Sequence, residues 1–514
     1  MRSHRQYAGI VFPLIYALIG CGASFLLLKH NYFIETDGCI YAISARNLLE
    51  LHWYPLTYFP PFYPMLIAGA YSLIGQLQLA AHLVSVIAWA LSIFIFFKLA
   101  DYLYGRKAAH IATFLYLSHG LALGYSYRIQ THSVDLLLIL GYIFLAILFI
   151  RKESRRWPRA VLIGAILAAA ILNRPEHILV ALFLVPTISI FLKTDWLRKT
   201  GLMLSLIGVM GVLLYPYARF LHKHTGRWAL TVKTANLRNF ETLRKDGQSY
   251  GRQWINKGFR DFDLKQYFFK NKQKVIMKYA EGLGMMFIQL VKILYYGLGL
   301  LLAIWGCARI LLIRRRHPQE IILMLCLLPL ILIVPFSKFT HRCYLAYLPV
   351  FILMIALGII ALSDSLASRW DGSKRNRASV VIAVLFLLSC VNIGYIISHR
   401  VLNIRDRADE HTQMGLWMKK NIPDVEDALM ASVKPFVAFH ANSHFTSPPA
   451  AQDYEKFLRL MKADQIKYLI ADKRFFVPAF PHFEFLMEEK AGHPGLKAIH
   501  VIRAPIKIIL YRIL

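Results

Sequence analysis

The sequence predicts an α-helical polytopic membrane protein of about eleven spanning helices. Interfacial helices are expected in its first external loop, and a small α/β domain at its C-terminus. Three observations lead there. The 514-residue chain is 57% hydrophobic, with a mean hydropathy of +0.47, where soluble domains hold about 45–50% apolar residues. The excess lies in blocks of roughly 17–22 residues, the length that crosses a bilayer core as a helix. Past residue 398 the pattern changes, with more charge and shorter apolar runs.

The first block reads as a span rather than a cleavable secretory signal. It is long, lacks a small-residue cleavage site and is followed by many others. Net charge is +31, which in a soluble chain would suggest nucleic acid. Here Lys and Arg fall mostly between apolar blocks, where membrane-surface charge explains them, and no nucleic-acid partner is expected. Six scattered cysteines show neither a C-x-x-C pair nor zinc spacing. Most behave as small hydrophobes, although a bridge between Cys39 and Cys343 is open.

Spans are expected near 8–28, 79–100, 107–124, 134–150, 160–172, 177–192, 201–221, 285–312, 320–336, 344–362 and 379–398. Basic clusters then alternate. Arg106 and Lys107, the run Arg151–Arg159, Lys193 to Lys199, Arg314–Arg316 and Lys374–Arg377 share a side with Arg2 and Arg5. Arg128, Arg174, Lys338 and Arg342 stand nearly alone opposite. By the positive-inside rule the N-terminus is cytoplasmic and the C-terminal domain extracytoplasmic, in a cytoplasmic (inner) membrane. The rule also decides 60–75, apolar enough to span. Counting it would flip every later loop, so 29–78 reads as one external loop with surface-lying helices. Residues 222–280 read as a second, since long loops translocate largely regardless of charge. No paired broken helices of the transporter kind are evident.

Residues 1–398 are thus expected as the membrane domain and 399–514 as an extracytoplasmic one. In the latter, 408–421 has helical amphipathicity (Met414, Leu416, Trp417), and 454–462 has helical periodicity. Residues 428–433 and 467–471 are strand-like. Such alternation suggests α/β layering.

Carboxylates at the outer interface are the candidate chemistry. Glu35 and Asp37 follow the first span, where pKa and partners can be tuned. They would share a face in an extended segment and diverge on a helix. Asp37 reads equally as the N-cap of a surface helix running to Leu51. The run Tyr125-Ser126-Tyr127-Arg128-Ile129-Gln130-Thr131-His132 leads to Asp135, which reads as a second acid or as a helix cap facing the dipole. Arg174 sits in the turn Asn173–His177 and reads as a phosphate ligand or a partner of Glu176. His341 and Arg342 precede the tenth span. Arg at the headgroup level suits phosphate through a bidentate fork, or simply snorkels. A base, a second acid and cations on one membrane face suit group transfer from a membrane-held donor. The histidines with Glu35 or Asp37 admit a divalent metal, but no ligand spacing supports one, and no cofactor is assigned.

In the order of these features the chain resembles the GT-C class of membrane glycosyltransferases, of the protein O-mannosyltransferase and aminoarabinose-transferase type. The resemblance rests on Asp37 followed by Tyr41, the run Pro60-Pro61-Phe62-Tyr63-Pro64, the Arg-bearing turn closing on Asp135, and Arg342-Cys343-Tyr344-Leu345-Ala346-Tyr347-Leu348-Pro349. It implies a polyprenyl-phosphate sugar donor and an acceptor that is glycolipid, polysaccharide or protein. It also implies Asp37 as the base or acceptor-positioning acid, Asp135 as a second active-site carboxylate, and Arg342 on the donor phosphate. Members often place Glu directly after the first Asp, where this chain has Gly38. Arg128 lies further from Asp135 than in the mannosyltransferases. Rival expectations are a transporter or flippase for a lipid-linked saccharide, or a non-catalytic envelope assembly protein.

Overall fold

The computed structural model describes residues 2–50, 59–231, 269–313, 318–336, 341–369, 374–396, 408–488 and 493–514. Lys338, Arg314–Arg316 and most of the loop 222–280 lie outside them. The chain divides into two compact units, one of residues 1–32, 60–220 and 268–404, the other of 33–59, 221–267 and 405–514.

The first unit is helical. Among the described residues, seven helices are long and apolar enough to cross a membrane. They are Gly9–His30, Leu77–Tyr104, His132–Arg151, Arg156–Asn173, Trp196–Thr225, Pro318–Phe336 and His341–Leu366. Shorter apolar helices cover Phe62–Ile74, His177–Phe191 and Ala378–Asn392. The backbone has no water partner in a bilayer core, so apolar runs satisfy it internally as helices. The aromatic of the Pro-rich run is structural here. Tyr63 is fully buried and its hydroxyl meets Ser85 Oγ at 2.8 Å.

Two expected spans differ from a straight helix. Near 285–312 the chain bends by 85° between Lys272–Ile293 and Tyr295–Ala308. Tyr295, Tyr296 and Gly297 have φ of 55°, 53° and 95°, a left-handed run that ordinary side chains resist. Near 107–124 the helix stops at Ser118 and restarts at Gly120. The two breaks are pinned together. His119 Nε2 lies 3.1 Å from the Ile293 carbonyl. Asn392 receives the Gly120 N–H at 2.8 Å and donates to the Ser118 carbonyl. Polar groups freed by a break in a membrane helix must find such partners.

Elsewhere the helices approach through small residues. A Cβ on Gly306 would overlap the Met354 carbonyl, and one on Gly358 the Leu302 carbonyl. Small residues let membrane helices pack backbone to backbone.

The C-terminal part of the second unit is a five-stranded sheet of order β2-β1-β3-β5-β4. The strands are β1 Leu429–Ala431, β2 His444–Thr446, β3 Tyr468–Asp472, β4 Leu496–Ile502 and β5 Ile508–Ile513. β1 runs parallel to β2 and β3, and β5 antiparallel to β3 and β4. Side-chain alternation gives the sheet two covered faces. Tyr468, Ile470, Ile508 and Leu510 pack with Met414, Met418, Val437 and Ala441. Leu469, Ala471, Ile509 and Tyr511 pack with Phe457, Met461, Phe476 and Phe483. The helices Asp409–Asn421 and Phe436–Ala441 therefore cover one face, and Tyr454–Ala463 the other. Asp453 caps the last of these by accepting the Lys456 N–H at 2.7 Å.

At the carboxyl end of β3 a buried charge cluster closes the sheet. His411 Nδ1 donates to Glu410 Oε1 at 3.2 Å, and Nε2 faces Asp472 Oδ2 at 3.5 Å. Arg474 Nε lies 3.3 Å from Glu410. Burial alone would lower the His411 imidazole, but Asp472 and Glu410 outweigh it and raise it above the ordinary 6.5. Burial alone would raise Glu410, but the His411 hydrogen bond and the charges of His411 and Arg474 hold it below the ordinary 4.5.

Two outcomes are expected. Gly358→Leu should lower the melting temperature of the purified protein, overpacking costing about 1–3 kcal/mol. Gly22→Ala, with nothing near its Cβ, should leave it unchanged. The histidine cluster predicts a pH dependence with a definite sign. A raised His411 stabilises fully below its unfolded value of 6.5, and that contribution is lost as pH rises through the folded value. A lowered Glu410 stabilises above 4.5 and loses this as pH falls through its depressed value. Hydrogen exchange of β3 and β5 in the whole chain should therefore be faster, relative to intrinsic rates, at about pH 8 than at about pH 6. His411→Gln should flatten that difference, and an unflattened slope would remove the cluster as its cause.

Candidate active site

The helix His132–Arg151 carries Asp135 in its first turn. The carboxylate is 1% exposed and does not cap the helix. Oδ1 accepts from His177 Nε2 at 2.7 Å, and Oδ2 lies 3.5 Å from Arg174 Nη1. A buried carboxylate without compensation costs several kcal/mol, so these partners keep it in place.

Arg174 closes the helix Arg156–Asn173 and is extended at its C-cap. Its Nε and Nη2 both donate to Glu176 Oε1, at 3.0 and 2.7 Å, and Nη1 is 3.3 Å from His132 Nδ1. The Glu176 partnership read from sequence for Arg174 is formed, and Arg174 also joins the carboxylate site. His132 packs edge-on against Tyr125, centroids 5.1 Å apart, and the Arg128 guanidinium sits 4.9 Å over the same ring. The charges of Arg174, Arg342 and Arg128 all act on His132. Thus Arg128, His132, Asp135, Arg174 and Arg342 are brought to one locality of the first unit.

His341 and Arg342 open the short 3₁₀ segment His341–Tyr347 and are half-buried. Tyr344 is buried on the same segment, and its hydroxyl has no hydrogen-bond partner among the described residues. Sequence reasoning missed His177 and Tyr142. His177 Nδ1 faces the Tyr142 hydroxyl at 3.4 Å, so Asp135, His177 and Tyr142 form a chain. Tyr142 stands seven residues after Asp135 on an otherwise apolar helix. Two turns put both on one face, which is a readable signal.

Asp37, Glu35 and Tyr41 belong to the second unit. Asp37 is half-buried in the first turn of the helix Thr36–Glu50. Glu35 precedes that helix, and its carbonyl accepts the Cys39 N–H at 2.9 Å. The helical backbone therefore points the two acids in different directions. Tyr41 is buried against Phe59, centroids 4.5 Å apart. Burial, with the nearby Asp37 and Glu35 charges, pushes the Cys39 thiol well up. All six cysteines are free in this structure. Among the described residues, no group of three His, Cys, Asp or Glu could hold a metal ion.

Truncating either partner of Asp135 strands a buried charge, at a cost of about 3–5 kcal/mol. Arg174→Ala should therefore lower the melting temperature in detergent, and Asp135→Asn in that background should recover part of the loss. Additive losses would show that the two residues do not interact.

Residues 59–219 match the family model for dolichyl-phosphate-mannose-protein mannosyltransferase. That range includes the Pro-rich run, Arg128, His132, Asp135 and Arg174. No curated protein sequence matches the chain. Among solved structures, ArnT from Cupriavidus metallidurans, bound to undecaprenyl phosphate, aligns with a TM-score of 0.60 at 12% identity, covering 98% of each chain. The Archaeoglobus fulgidus oligosaccharyltransferase aligns at 0.61 and 14% identity, over 90% of this chain and 67% of that one. The mycobacterial arabinofuranosyltransferase AftD aligns at 0.54 and 12% identity, over 97% of this chain and 41% of that one. The chain has the fold of the GT-C class of membrane glycosyltransferases, with residues 59–219 matching the mannosyltransferase model within it.

Proposed function

We propose that this protein is an integral membrane glycosyltransferase that moves a sugar from a polyprenyl-phosphate donor to an acceptor at the extracytoplasmic face of the cytoplasmic membrane. The observation that carries the reading is the buried Asp135–Arg174–His177 arrangement, with Arg128 and Arg342 acting on the same locality. Such a site holds fixed positive charge where a phosphate leaves. The mannosyltransferase match and the undecaprenyl phosphate bound by ArnT support the donor class.

In this mechanism Asp37 takes the proton of the acceptor hydroxyl. The acceptor oxygen attacks the anomeric carbon, and the bond from that carbon to the phosphate oxygen breaks with its electron pair. The configuration inverts. The leaving group is already a stable anion, so positive charge from Arg342 replaces a general acid. Asp135 lies too deep to serve as a second base. With Oδ1 on His177 and Oδ2 beside Arg174, it holds both side chains in position. Tyr344 offers its unpartnered hydroxyl, and His341 and Arg128 flank the donor phosphate. The acceptor is a glycolipid, a polysaccharide or a protein.

The bent pair Lys272–Ile293 and Tyr295–Ala308 favours a second reading, a carrier of lipid-linked saccharide, because transporter sites use discontinuous helices. A carrier built on inverted repeats would break two corresponding helices. The other break, at His119, is pinned to the first rather than set apart from it.

The test is a donor-consumption assay in nanodiscs, with a panel of polyprenyl-phosphate sugars and crude membrane glycolipids as acceptors. Wild type should consume one donor, and Asp37→Asn should lose roughly a thousandfold or more of that rate, within the range expected for a general base and its positioning. Full activity of Asp37→Asn would refute the base assignment. Transport without donor cleavage would favour the carrier.

A further inference from the structure

The helix Thr36–Glu50 lies some 400 residues before the C-terminal domain, yet both belong to the second compact unit. One side chain ties them. Arg46 is 3% exposed. Its Nη1 donates to the side-chain carbonyl of Asn442, and Nη2 donates to the Ser443 carbonyl at 3.1 Å. Its Nε faces Glu50 at 3.6 Å, one turn along the same helix. A buried guanidinium is costly unless its donors are met, and here two of its nitrogens are met by one turn.

That turn is itself fixed. Asn442 ends the helix Phe436–Ala441 in the left-handed region, at φ 61°. Its side-chain nitrogen donates to Glu426 at 2.9 Å, which sets which way its carbonyl points. The Ser443 N–H closes the turn on the Ala438 carbonyl at 2.9 Å. The fork of Arg46 therefore meets two acceptors held in advance, a match that a lysine ammonium does not reproduce.

Geometry on the helix gives this contact its meaning. Asp37 and Arg46 are nine positions apart, about two and a half turns, so they project from opposite faces. The face gripped by the turn is not the face that carries Asp37. Among the described residues, neither core of the C-terminal sheet includes a residue of this helix. The grip is thus an addition to a domain that builds its cores without it.

We infer that Arg46 is a positioning residue, through which the C-terminal domain holds the helix that presents Asp37. The inference rests on the reading of Asp37 as the base. It assigns the C-terminal domain a part in the transfer step itself. A freed helix places the carboxylate over many poses, and misplacement near an ångström costs on the order of a hundredfold in rate.

The test uses the full chain in nanodiscs with Arg46→Ala, Arg46→Lys, Asn442→Ala and the Arg46→Ala/Asn442→Ala pair. Arg46→Ala should lower kcat for donor consumption by about tenfold to a hundredfold, with the donor KM near the wild-type value. Arg46→Lys should recover part of that loss, and the pair should be no worse than Arg46→Ala alone, as expected for one shared interaction. Hydrogen exchange should rise in 36–50 and stay unchanged in β1, β3 and β5. Unchanged kcat would overturn the inference, and so would loss of protection across the strands, which marks a merely structural role. Exchange is independent of turnover, so the two readings fail separately. If Asp37→Asn stays active while Arg46→Ala frees the helix, the base assignment falls and the grip stands.

Discussion

A carboxylate sealed at the head of a membrane helix sets the terms for the first unit. Asp135 cannot be hydrated, and it does not spend its charge on its own helix end. It needs partners from elsewhere in the chain, and these come from one turn, Arg174 and His177. That turn joins two short apolar helices, Arg156–Asn173 and His177–Phe191. Satisfying the carboxylate therefore fixes where three helix ends meet. Arg174 in turn needs Glu176, and Glu176 meets two of its nitrogens at once. The result is a small lattice of charge in which each member is retained by the others. Low dielectric makes the lattice stiff and makes any missing member expensive.

The same economy of polar groups explains the broken helices. Interrupting a membrane helix frees carbonyls and amides that lipid cannot satisfy. The chain breaks two helices near each other and uses His119 and Asn392 to serve both interruptions. The left-handed backbone at Tyr295–Gly297 is stored strain, which persists only where surroundings over-determine it.

The second unit follows soluble-protein rules. Its sheet is covered on both faces, and its strand order places β1 between β2 and β3. In open α/β sheets the crevice outside such strand ends is where ligands usually settle. Here that position is filled by Glu410, His411 and Asp472. The domain instead uses a turn between helix and strand, Asn442-Ser443, to receive a side chain from the helix Thr36–Glu50.

Much of this was legible in the sequence. The helices Asp409–Asn421 and Tyr454–Ala463 and the strands β1 and β3 fall where periodicity placed them. The apolar helix Phe62–Ile74 falls within the stretch read as surface-lying. Arg128, His132, Asp135, Arg174 and Arg342 were named before their meeting was visible. Their types and their place between apolar blocks marked them. Asp135 was open between cap and site acid, because local sequence offers both. Tyr142 was not singled out, though its seven-residue spacing from Asp135 was readable; His177 appeared only as the end of its turn, because its partners lie on another helix.

By itself the sequence determined the class of solvent each segment would meet, and with it helix or strand. Those choices follow from local composition and period, which burial of apolar surface and backbone satisfaction enforce over ten to twenty residues. Only the tertiary structure decided that Asp135 faces His177, that two helices break side by side, and that Arg46 reaches a turn nearly 400 positions away. These are pairings between distant residues, set by which polar groups the fold leaves to satisfy one another, and no local pattern records them.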